Sequence, residues 1–378
     1  MFLFERLFGF GSYMLVLLLV CLFLGRTNVS CKLILNIYLV CLCTMAFLYK
    51  PYVTADLYKI YEQMDFFSTM EFRIFWQDYV VGSSMPVARL LYWTIGKTGV
   101  NTLLPVLSCF VCYSSTFYII SRTQKLYDVS NRTVAYVLFF VMTSSIYISV
   151  IGGIRMMMSL CMIAYSYFRG SVERKVNVFD ILLYVLAVFL HAMGAVVIAV
   201  CIVVALFDSD RNVLRKIGFA IVAAVVGLIF VFNFTDTMRG LNEKFLEYVL
   251  GDRYSDPWEY AMGVLIIALL LVLFVEFRRT CRDEDGLSVK KYNTSAIWCV
   301  VIALCFHFEF SIFYRFGGQL AVLLAMPTLM LTLEKNEGEA SSVIRGVDFR
   351  SVLMIFSCVI AALSCTRGSL SSLKFFEL

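Results

Sequence analysis

Four short clusters of basic residues interrupt the long apolar runs of this chain. They lie at 122–132, 169–175, 211–216 and 278–291. Short cytoplasmic loops of polytopic membrane proteins collect lysine and arginine in this way. The pattern therefore predicts a membrane protein and also orients its helices, with the basic loops on the cytoplasmic side. Costly polar residues on the opposite, outer side are then the place to look for function.

Composition supports this interpretation. Hydrophobic residues make up 61% of the chain and charged residues 16%, which is more apolar material than a soluble domain can bury. The formal net charge is +5, but the positive residues lie in short loops and form no aromatic-interleaved patch, so no nucleic-acid partner is predicted. Most of the 13 cysteines lie inside apolar runs, where we interpret them as small membrane-core residues. Neither a metal nor another cofactor is predicted.

A crossing helix needs roughly 20 apolar residues, and fewer where it is broken, so the chain has room for about twelve crossings. They are predicted at 11–24, 32–48, 101–120, 133–150, 154–168, 178–190, 194–207, 217–234, 260–275, 294–308, 316–333 and 351–364. Residues 1–378 then form a single transmembrane domain, an all-α polytopic helical bundle with some short or broken helices. Its largest outer loops are predicted at about 50–85 and 235–259.

The segment 86–96 is apolar but too short for an easy crossing, and counting it as one would invert every later loop against the charge pattern. We interpret it as a half-helix or a re-entrant element. Broken backbone at membrane depth is tolerated only where protein or a watery cavity surrounds it, so a cavity is predicted. The run 180–207, with His191 and Gly194 at its middle, predicts a tight outer hairpin.

Two arginines and two histidines near the outer helix ends are the candidate chemical groups: Arg155, Arg315, His191 and His307. Charged side chains inside membranes are costly and usually face an interior cavity or a substrate. Both arginines lie beside paired glycines, which allow close backbone approach, and a guanidinium offers a bidentate fork to phosphate. The alternative for each is an interfacial arginine that reaches toward lipid headgroups.

His191 is a candidate general base, because imidazole titrates near neutral pH and accepts a proton from a hydroxyl. The alternative is a structural histidine that bridges two helices. His307 is the weaker candidate. Glu309 lies two residues away, and a simple polar pair at the membrane edge would account for both.

The first outer loop mixes charged residues with aromatic ones and includes Asp56, Tyr58, Arg73 and Asp78. Such a mixture suits sugar rings, although aromatic residues also belong at any membrane interface. The chain has no phosphate-binding loop, Rossmann glycine pattern, GxSxG nucleophile elbow or HExxH helix. Nucleotide and metal chemistry are therefore not expected.

Several short motifs resemble, in order and spacing, those of the EpsG-type branch of the Wzy polysaccharide polymerases. They are Asp56-Leu57-Tyr58, Gly153-Ile154-Arg155, Phe189-Leu190-His191 and Tyr314-Arg315-Phe316, followed by Pro327. The resemblance covers most of the chain. Such proteins often have glutamine after the arginine of the Gly-x-Arg motif, where this chain has Met156.

The resemblance implies a bacterial multi-pass enzyme of the cytoplasmic (inner) membrane that polymerises an O-antigen, capsule or exopolysaccharide. Such an enzyme transfers a glycan from undecaprenyl pyrophosphate to an incoming lipid-linked repeat unit on the outer face, without a metal. Its implied fold resembles that of membrane glycosyltransferases with lipid-linked donors. Its implied partners are lipid-linked oligosaccharide substrates, membrane lipids and a chain-length regulator protein.

The resemblance also implies roles for individual residues. Arg155 and Arg315 would stabilise the departing pyrophosphate, and His191 would be the base, with His307 in reserve. The implied substrate-binding residues are Asp56, Tyr58, Arg73, Asp78, Arg89, His307 and Glu309.

Two alternatives stay open from the residues alone. A transporter or flippase would also carry broken helices and intramembrane charges along a path at the midplane, but no internal repeat is evident and the candidate residues crowd one face. An O-antigen-type ligase, which moves finished glycan to a different acceptor, would use much the same arginine and histidine chemistry. The sequence does not separate polymerase from ligase.

Overall fold

The computed structural model describes most of the chain as helix. The described residues are 2–27, 29–51, 55–144, 147–191, 193–207, 257–280, 287–305, 307, 313–335 and 349–366. Within these ranges every regular element is helical, which confirms the predicted all-α class. The predicted crossing at 217–234 and most of the predicted outer loop at 235–259 lie outside the described residues.

The described helices are numbered here in chain order. They are α1 (Phe2–Arg26), α2 (Cys31–Leu48), α3 (Asp56–Ser68), α4 (Phe72–Phe75), α5 (Pro86–Gly96), α6 (Leu103–Tyr127), α7 (Asn131–Ser144), α8 (Tyr147–Gly152), α9 (Ile154–Ser171), α10 (Val178–Leu190), α11 (Met193–Phe207), α12 (Pro257–Thr280), α13 (Leu287–Cys305), α14 (Ala321–Lys335) and α15 (Phe349–Thr366). Two π-helices, Trp76–Val80 and Tyr314–Leu320, continue α4 and precede α14.

Four of the described helical segments are long and apolar enough to cross a membrane. They are Cys31–Leu48, Leu103–Tyr127, Tyr260–Thr280 and Tyr314–Lys335. Shorter apolar helices accompany them, including Val178–Leu190. These helices make the chain a helical membrane protein. The predicted number of about twelve crossings stays a prediction.

Polar contacts gather several helix ends at one end of the bundle, here called the basic end. Arg122 near the end of α6 bonds to Glu173, just after α9. Arg169 Nη1 in α9 donates to Asp180 Oδ1 in α10 over 2.8 Å. Ser130, just before α7, donates to Glu334 Oε2 in the last turn of α14 over 2.9 Å. These contacts bring together the ends of α6, α9 and α14 and the starts of α7 and α10, which gives the direction of these five helices.

The opposite ends of the same helices form the distal end. Because α9 and α14 end at the basic end, their starts lie at the distal end, and with them Arg155 and the π-helix Tyr314–Leu320. The end of α10, with His191, lies there too, since α10 starts at the basic end. The helices α3, α4 and α5 connect the distal end of α2 to the distal start of α6. We call residues 56–96 the distal cap.

The antiparallel pair of α9 and α10 is formed by a short, well-capped turn. Asn177 Oδ1 accepts a 3.0 Å bond from the Asp180 N–H, and Asp180 Oδ2 accepts a 2.9 Å bond from the Asn177 N–H. This reciprocal arrangement is a capping box, which satisfies two main-chain donors at the start of a helix. The helix α10 therefore starts at Val178 and runs back along α9.

Candidate active site

A hydrogen bond between α9 and α10 sets the relative height of two candidate residues. Ser159 Oγ in α9 donates to the Ala187 carbonyl oxygen in α10 over 2.9 Å. Arg155 lies four residues before Ser159, and His191 lies four residues after Ala187. Since the helices are antiparallel and one turn spans about four residues, both lie about one turn beyond this bond, at the same level of the distal end.

The first turn of α9 is positively polarised around Arg155. A Cβ added at Gly153 would lie 2.8 Å from the Ser149 carbonyl oxygen, so glycine permits the close break between α8 and α9. The helix then starts at Ile154, and its early main-chain N–H groups point toward the distal end. These groups carry partial positive charge, which adds to the charge of the Arg155 guanidinium and favours an anion at this end.

The turn after α10 holds the His191 ring. The helix α10 ends at Leu190 and α11 starts at Met193, where the sequence predicts the hairpin. The main-chain N–H of Met193 donates to His191 Nδ1 over 3.1 Å. In this arrangement a neutral imidazole carries its proton on Nε2 and offers an N–H donor there. The geometry thus favours a donor at His191, and the base role stays a prediction.

Gly194 allows α9 to approach this turn. Its N–H donates to the His191 carbonyl oxygen over 2.8 Å. A Cβ at this position would lie 2.7 Å from Ser159 Oγ and 2.8 Å from the Ala187 carbonyl oxygen. The same small space therefore holds the Ser159 bond and the start of α11.

A second arginine, Arg89 in α5, lies near Arg155. Arg155 Nη1 lies 3.5 Å from Met85 Sδ, just before α5. Arg89 Nη1 donates to Gln63 Oε1 over 3.3 Å, and its guanidinium lies 5.5 Å from the centre of the Phe67 ring. Burial lowers the pKa of Arg89, and the positive charge of Arg155 lowers it further. The two cations are thus close enough to repel each other.

The charge partners of these two arginines differ from those of the arginines at the basic end. Within the described part of the chain, Arg89 and Arg155 form no ion pair. At the basic end the opposite holds, because Arg122 and Arg169 pair with carboxylates. Two half-buried guanidiniums without a carboxylate are costly in a membrane protein. A bound anion would offset this cost.

Four further predicted substrate-binding residues belong to the distal cap. Asp56 starts α3, Arg73 lies in α4 and Asp78 lies in the π-helix Trp76–Val80, and all three are exposed. Tyr58 is half-buried in α3. No described contact joins these four residues to Arg155. Their substrate-binding role stays a prediction.

Arg315 and His307 lie in different segments of the chain from Arg155. Arg315 is half-buried in the π-helix Tyr314–Leu320, and no described contact places it beside Arg155. His307 is exposed, with Nδ1 3.0 Å from the Leu304 carbonyl oxygen. Glu309 lies outside the described residues, so its predicted pairing with His307 is not described.

Two residues that the sequence reasoning missed complete the arrangement: Ser159, which sets the register of α9 and α10, and Tyr92, a buried residue of α5. Both lie inside apolar runs. Their signal is spacing, since Ser159 follows Arg155 by four residues and Tyr92 follows Arg89 by three. Among the described residues, no group of three or more His, Cys, Asp or Glu side chains lies close enough to hold a metal ion.

Comparisons with known proteins identify the family. Searches of curated proteins and of solved structures each found no match. A sequence model of the EpsG family matches residues 86–368, which is well over half of the chain. The match starts at α5 and takes in Arg89, Arg155, His191 and Arg315, but not the earlier cap residues such as Asp56. The chain thus belongs to the EpsG family.

Proposed function

We propose that the protein is a polysaccharide polymerase. It joins oligosaccharide repeat units carried on undecaprenyl pyrophosphate, by glycosyl transfer on the outer face of the bacterial cytoplasmic membrane. EpsG membership supports a polymerase-type role in general. The observation that carries the finer proposal is the pair of Arg155 and Arg89 near the end of α10. These two guanidiniums have no carboxylate partner among the described residues.

The reaction needs stabilisation of a leaving anion more than it needs a strong nucleophile. An acceptor sugar hydroxyl attacks the anomeric carbon of the donor, and a new C–O bond forms. The old bond to the diphosphate breaks, its electron pair stays on the phosphate oxygen, and the hydroxyl proton passes to a base, either His191 or a water molecule. Arg155 stabilises the developing negative charge, because fixed positive groups act strongly where water is excluded. Arg315, at the same end, is a second candidate for this role.

His191 is proposed to contact the acceptor sugar. With Nδ1 occupied by the Met193 N–H, its neutral ring offers Nε2–H to an oxygen of the substrate. Removal of the hydroxyl proton by the same ring requires that this bond at Nδ1 open first. In both roles, as a donor or as a base, His191 contacts the acceptor sugar, while Arg155 contacts the diphosphate of the donor. The two residues lie at the same level of the bundle.

Membrane orientation supports an outer-face reaction. Basic residues cluster in the loop between α6 and α7 and after α9, which are at the basic end. Positively charged loops face the cytoplasm, so the distal end with Arg89, Arg155 and His191 faces outward. There the enzyme would take lipid-linked substrate from the outer leaflet, without a metal. The product would be an O-antigen, capsule or exopolysaccharide, and a chain-length regulator is a proposed partner.

One experiment separates polymerase, ligase and flippase. Purified protein in liposomes is given the lipid-linked repeat unit alone, and both the released lipid diphosphate and the length of the lipid-linked glycan are measured. A polymerase releases one lipid diphosphate for each linkage and lengthens the glycan with no other acceptor. A ligase releases lipid diphosphate only when a different acceptor is added. A flippase moves the substrate and releases none, and that result would overturn the proposal.

A further inference from the structure

Met85, Arg89 and Tyr92 lie in α5 or just before it. Arg89 and Tyr92 are three residues apart in α5 and therefore lie on one face of the helix. Met85, just before α5, contacts Arg155 in the first turn of α9. Burial raises the pKa of Tyr92, and the positive charges of Arg155 and Arg89 act to lower it.

The Tyr92 hydroxyl is buried and has no hydrogen-bond partner within the described residues. The residue is 2% exposed. Burying a hydroxyl without a partner costs stability, and such groups in native proteins call for an explanation. A ligand that supplies an acceptor oxygen beside the two arginines would satisfy it.

We propose that Met85, Arg89, Tyr92 and Arg155 form the binding site for the diphosphate group of an isoprenoid lipid, with the Tyr92 hydroxyl donating a hydrogen bond to it. This inference rests on the proposed function, since it names the group that holds the lipid-linked substrate. A diphosphate diester carries two negative charges, which match the two guanidiniums. The Tyr92 hydroxyl adds a donor that a phosphate oxygen accepts well.

The contacts that now occupy the arginines are weak enough for a ligand to replace. Arg155 Nη1 contacts the Met85 thioether over 3.5 Å, and sulfur is a poor acceptor. Arg89 bonds to a neutral amide oxygen of Gln63 over 3.3 Å. Phosphate oxygens make shorter, charge-assisted bonds to guanidinium groups. The flexible Met85 side chain is the part that must move to admit them.

A matched control exists for Tyr92. Tyr113 in α6 is also buried, at 2% exposure, and its hydroxyl also lacks a partner in the described part of the chain. Its ring stacks on Phe117 and Tyr147, and no cation–π contact of Tyr113 occurs within the described residues. Replacing either tyrosine with phenylalanine removes one unsatisfied hydroxyl from a buried place. Only the Tyr92→Phe change removes a donor from the arginine site.

The test is direct binding of farnesyl diphosphate to the purified full-length protein in nanodiscs. We expect Tyr92→Phe and Arg89→Gln each to weaken binding by about tenfold or more, since hydrogen bonds to charged groups contribute that much. Tyr113→Phe should bind like the wild type. Thermal unfolding without ligand should be unchanged or slightly raised in both phenylalanine variants, because neither loses a hydrogen bond.

Binding measurements with other ligands and lipids identify the chemical group that the site recognises. Farnesyl monophosphate and free pyrophosphate should bind more weakly than farnesyl diphosphate, and nanodiscs rich in phosphatidylglycerol should not abolish its binding. Equal binding by wild type and Tyr92→Phe would overturn the inference, as would complete displacement by phosphatidylglycerol. If the diphosphate binds as expected but no glycan lengthens, the polymerase proposal fails and the site stands. If glycan lengthens while Tyr92→Phe binds normally, only this inference fails.

Discussion

The Ser159 hydroxyl donates a 2.9 Å hydrogen bond to the Ala187 carbonyl oxygen, and this contact joins α9 to α10 one turn before their distal ends. The same carbonyl oxygen accepts a 3.1 Å hydrogen bond from the main-chain N–H of His191. One oxygen atom thus links the helix that carries Arg155 to the turn that carries His191. The proposed chemistry depends on the spacing that this link maintains.

Replacing Ser159 with alanine should therefore slow the reaction more than it destabilises the protein. In Ser159→Ala the Ala187 carbonyl oxygen still accepts the main-chain N–H of His191, so the free energy of unfolding should fall by only about 1 kcal/mol. A small misplacement of reacting groups costs far more in rate, and we expect kcat to fall roughly tenfold with little change in KM. Steady-state kinetics and thermal unfolding measure both effects.

Ser166→Ala is the matched control for this prediction. Ser166 lies in the same helix and is buried, and its hydroxyl has no hydrogen-bond partner in the part of the chain that the structure describes. Its removal should change neither kcat nor stability. If Ser159→Ala and Ser166→Ala have the same kcat, the Ser159 bond does not position the site.

Gly194→Ala should damage both stability and activity. The new Cβ would lie 2.8 Å from the Ala187 carbonyl oxygen, which belongs to a helix and cannot move aside as a flexible side chain does. Such overpacking costs about 1–3 kcal/mol. A Cβ at Gly25 in α1 would have no atom within 4 Å, so Gly25→Ala should be tolerated. A thermal unfolding midpoint for Gly194→Ala equal to that of Gly25→Ala would contradict the packing described here.

Substitutions at His191 distinguish a hydrogen-bond donor from a base. A glutamine side chain places an amide N–H near the position of Nε2, but it does not accept a proton at neutral pH. If His191 acts through Nε2–H, His191→Gln should keep at least about a tenth of the wild-type kcat, well above His191→Ala. Equal loss in the two variants would argue for the base.

The basic end should govern stability without governing chemistry. The Glu173 side chain is 3% exposed, pairs with Arg122 and accepts a 2.9 Å bond from the Tyr118 hydroxyl. Glu173→Gln should lower the free energy of unfolding by about 2 kcal/mol, less than for a fully buried pair because Arg122 is partly exposed. The kcat of the folded fraction should be unchanged. Arg155→Gln should show the reverse, with near-normal unfolding and a large loss of kcat.

Helix positions were predictable where a local signal marks the boundary. The half-helix at 86–96 and the helix at 178–190 were predicted with the bounds observed for Pro86–Gly96 and Val178–Leu190. Proline at the first position starts one, and the Asn177–Asp180 capping box starts the other. Hydropathy was a poorer guide for α6, which was predicted to end at 120 and continues to Tyr127. Its last turns are polar, and Arg122 is held there by Glu173.

The predicted outer loop at 50–85 contains helices as well as turns. In α3 the buried residues Leu57, Ile60, Met64 and Phe67 recur at helical spacing, a pattern that the sequence carries and that marks an amphipathic helix. A loop assignment based on low hydropathy overlooks this period. The exposed face of α3 keeps the polar residues, which is why the segment as a whole reads as a loop.

Contacts between distant segments were beyond the sequence. Arg155 and His191 were each predicted because polar side chains are costly in a membrane. The Ser159 hydrogen bond that sets them at the same height joins two apolar runs, which carry no signal for it. The approach of Arg155 to Met85 spans 70 residues of chain, so no local pattern encodes it. Tyr92 carries no signal of its own in an aromatic-rich chain. It becomes notable only because its buried hydroxyl has no hydrogen-bond partner among the described residues and it follows Arg89 by one helical turn.

The most direct test of the account is the glycan ladder made by purified protein in liposomes from the lipid-linked repeat unit. Wild type, Arg155→Ala and the control Arg26→Ala, which removes an exposed arginine at the end of α1, are compared at equal amounts of folded protein. We predict a ladder with wild type, a similar ladder with Arg26→Ala, and none with Arg155→Ala. A normal ladder from Arg155→Ala would contradict the proposed mechanism.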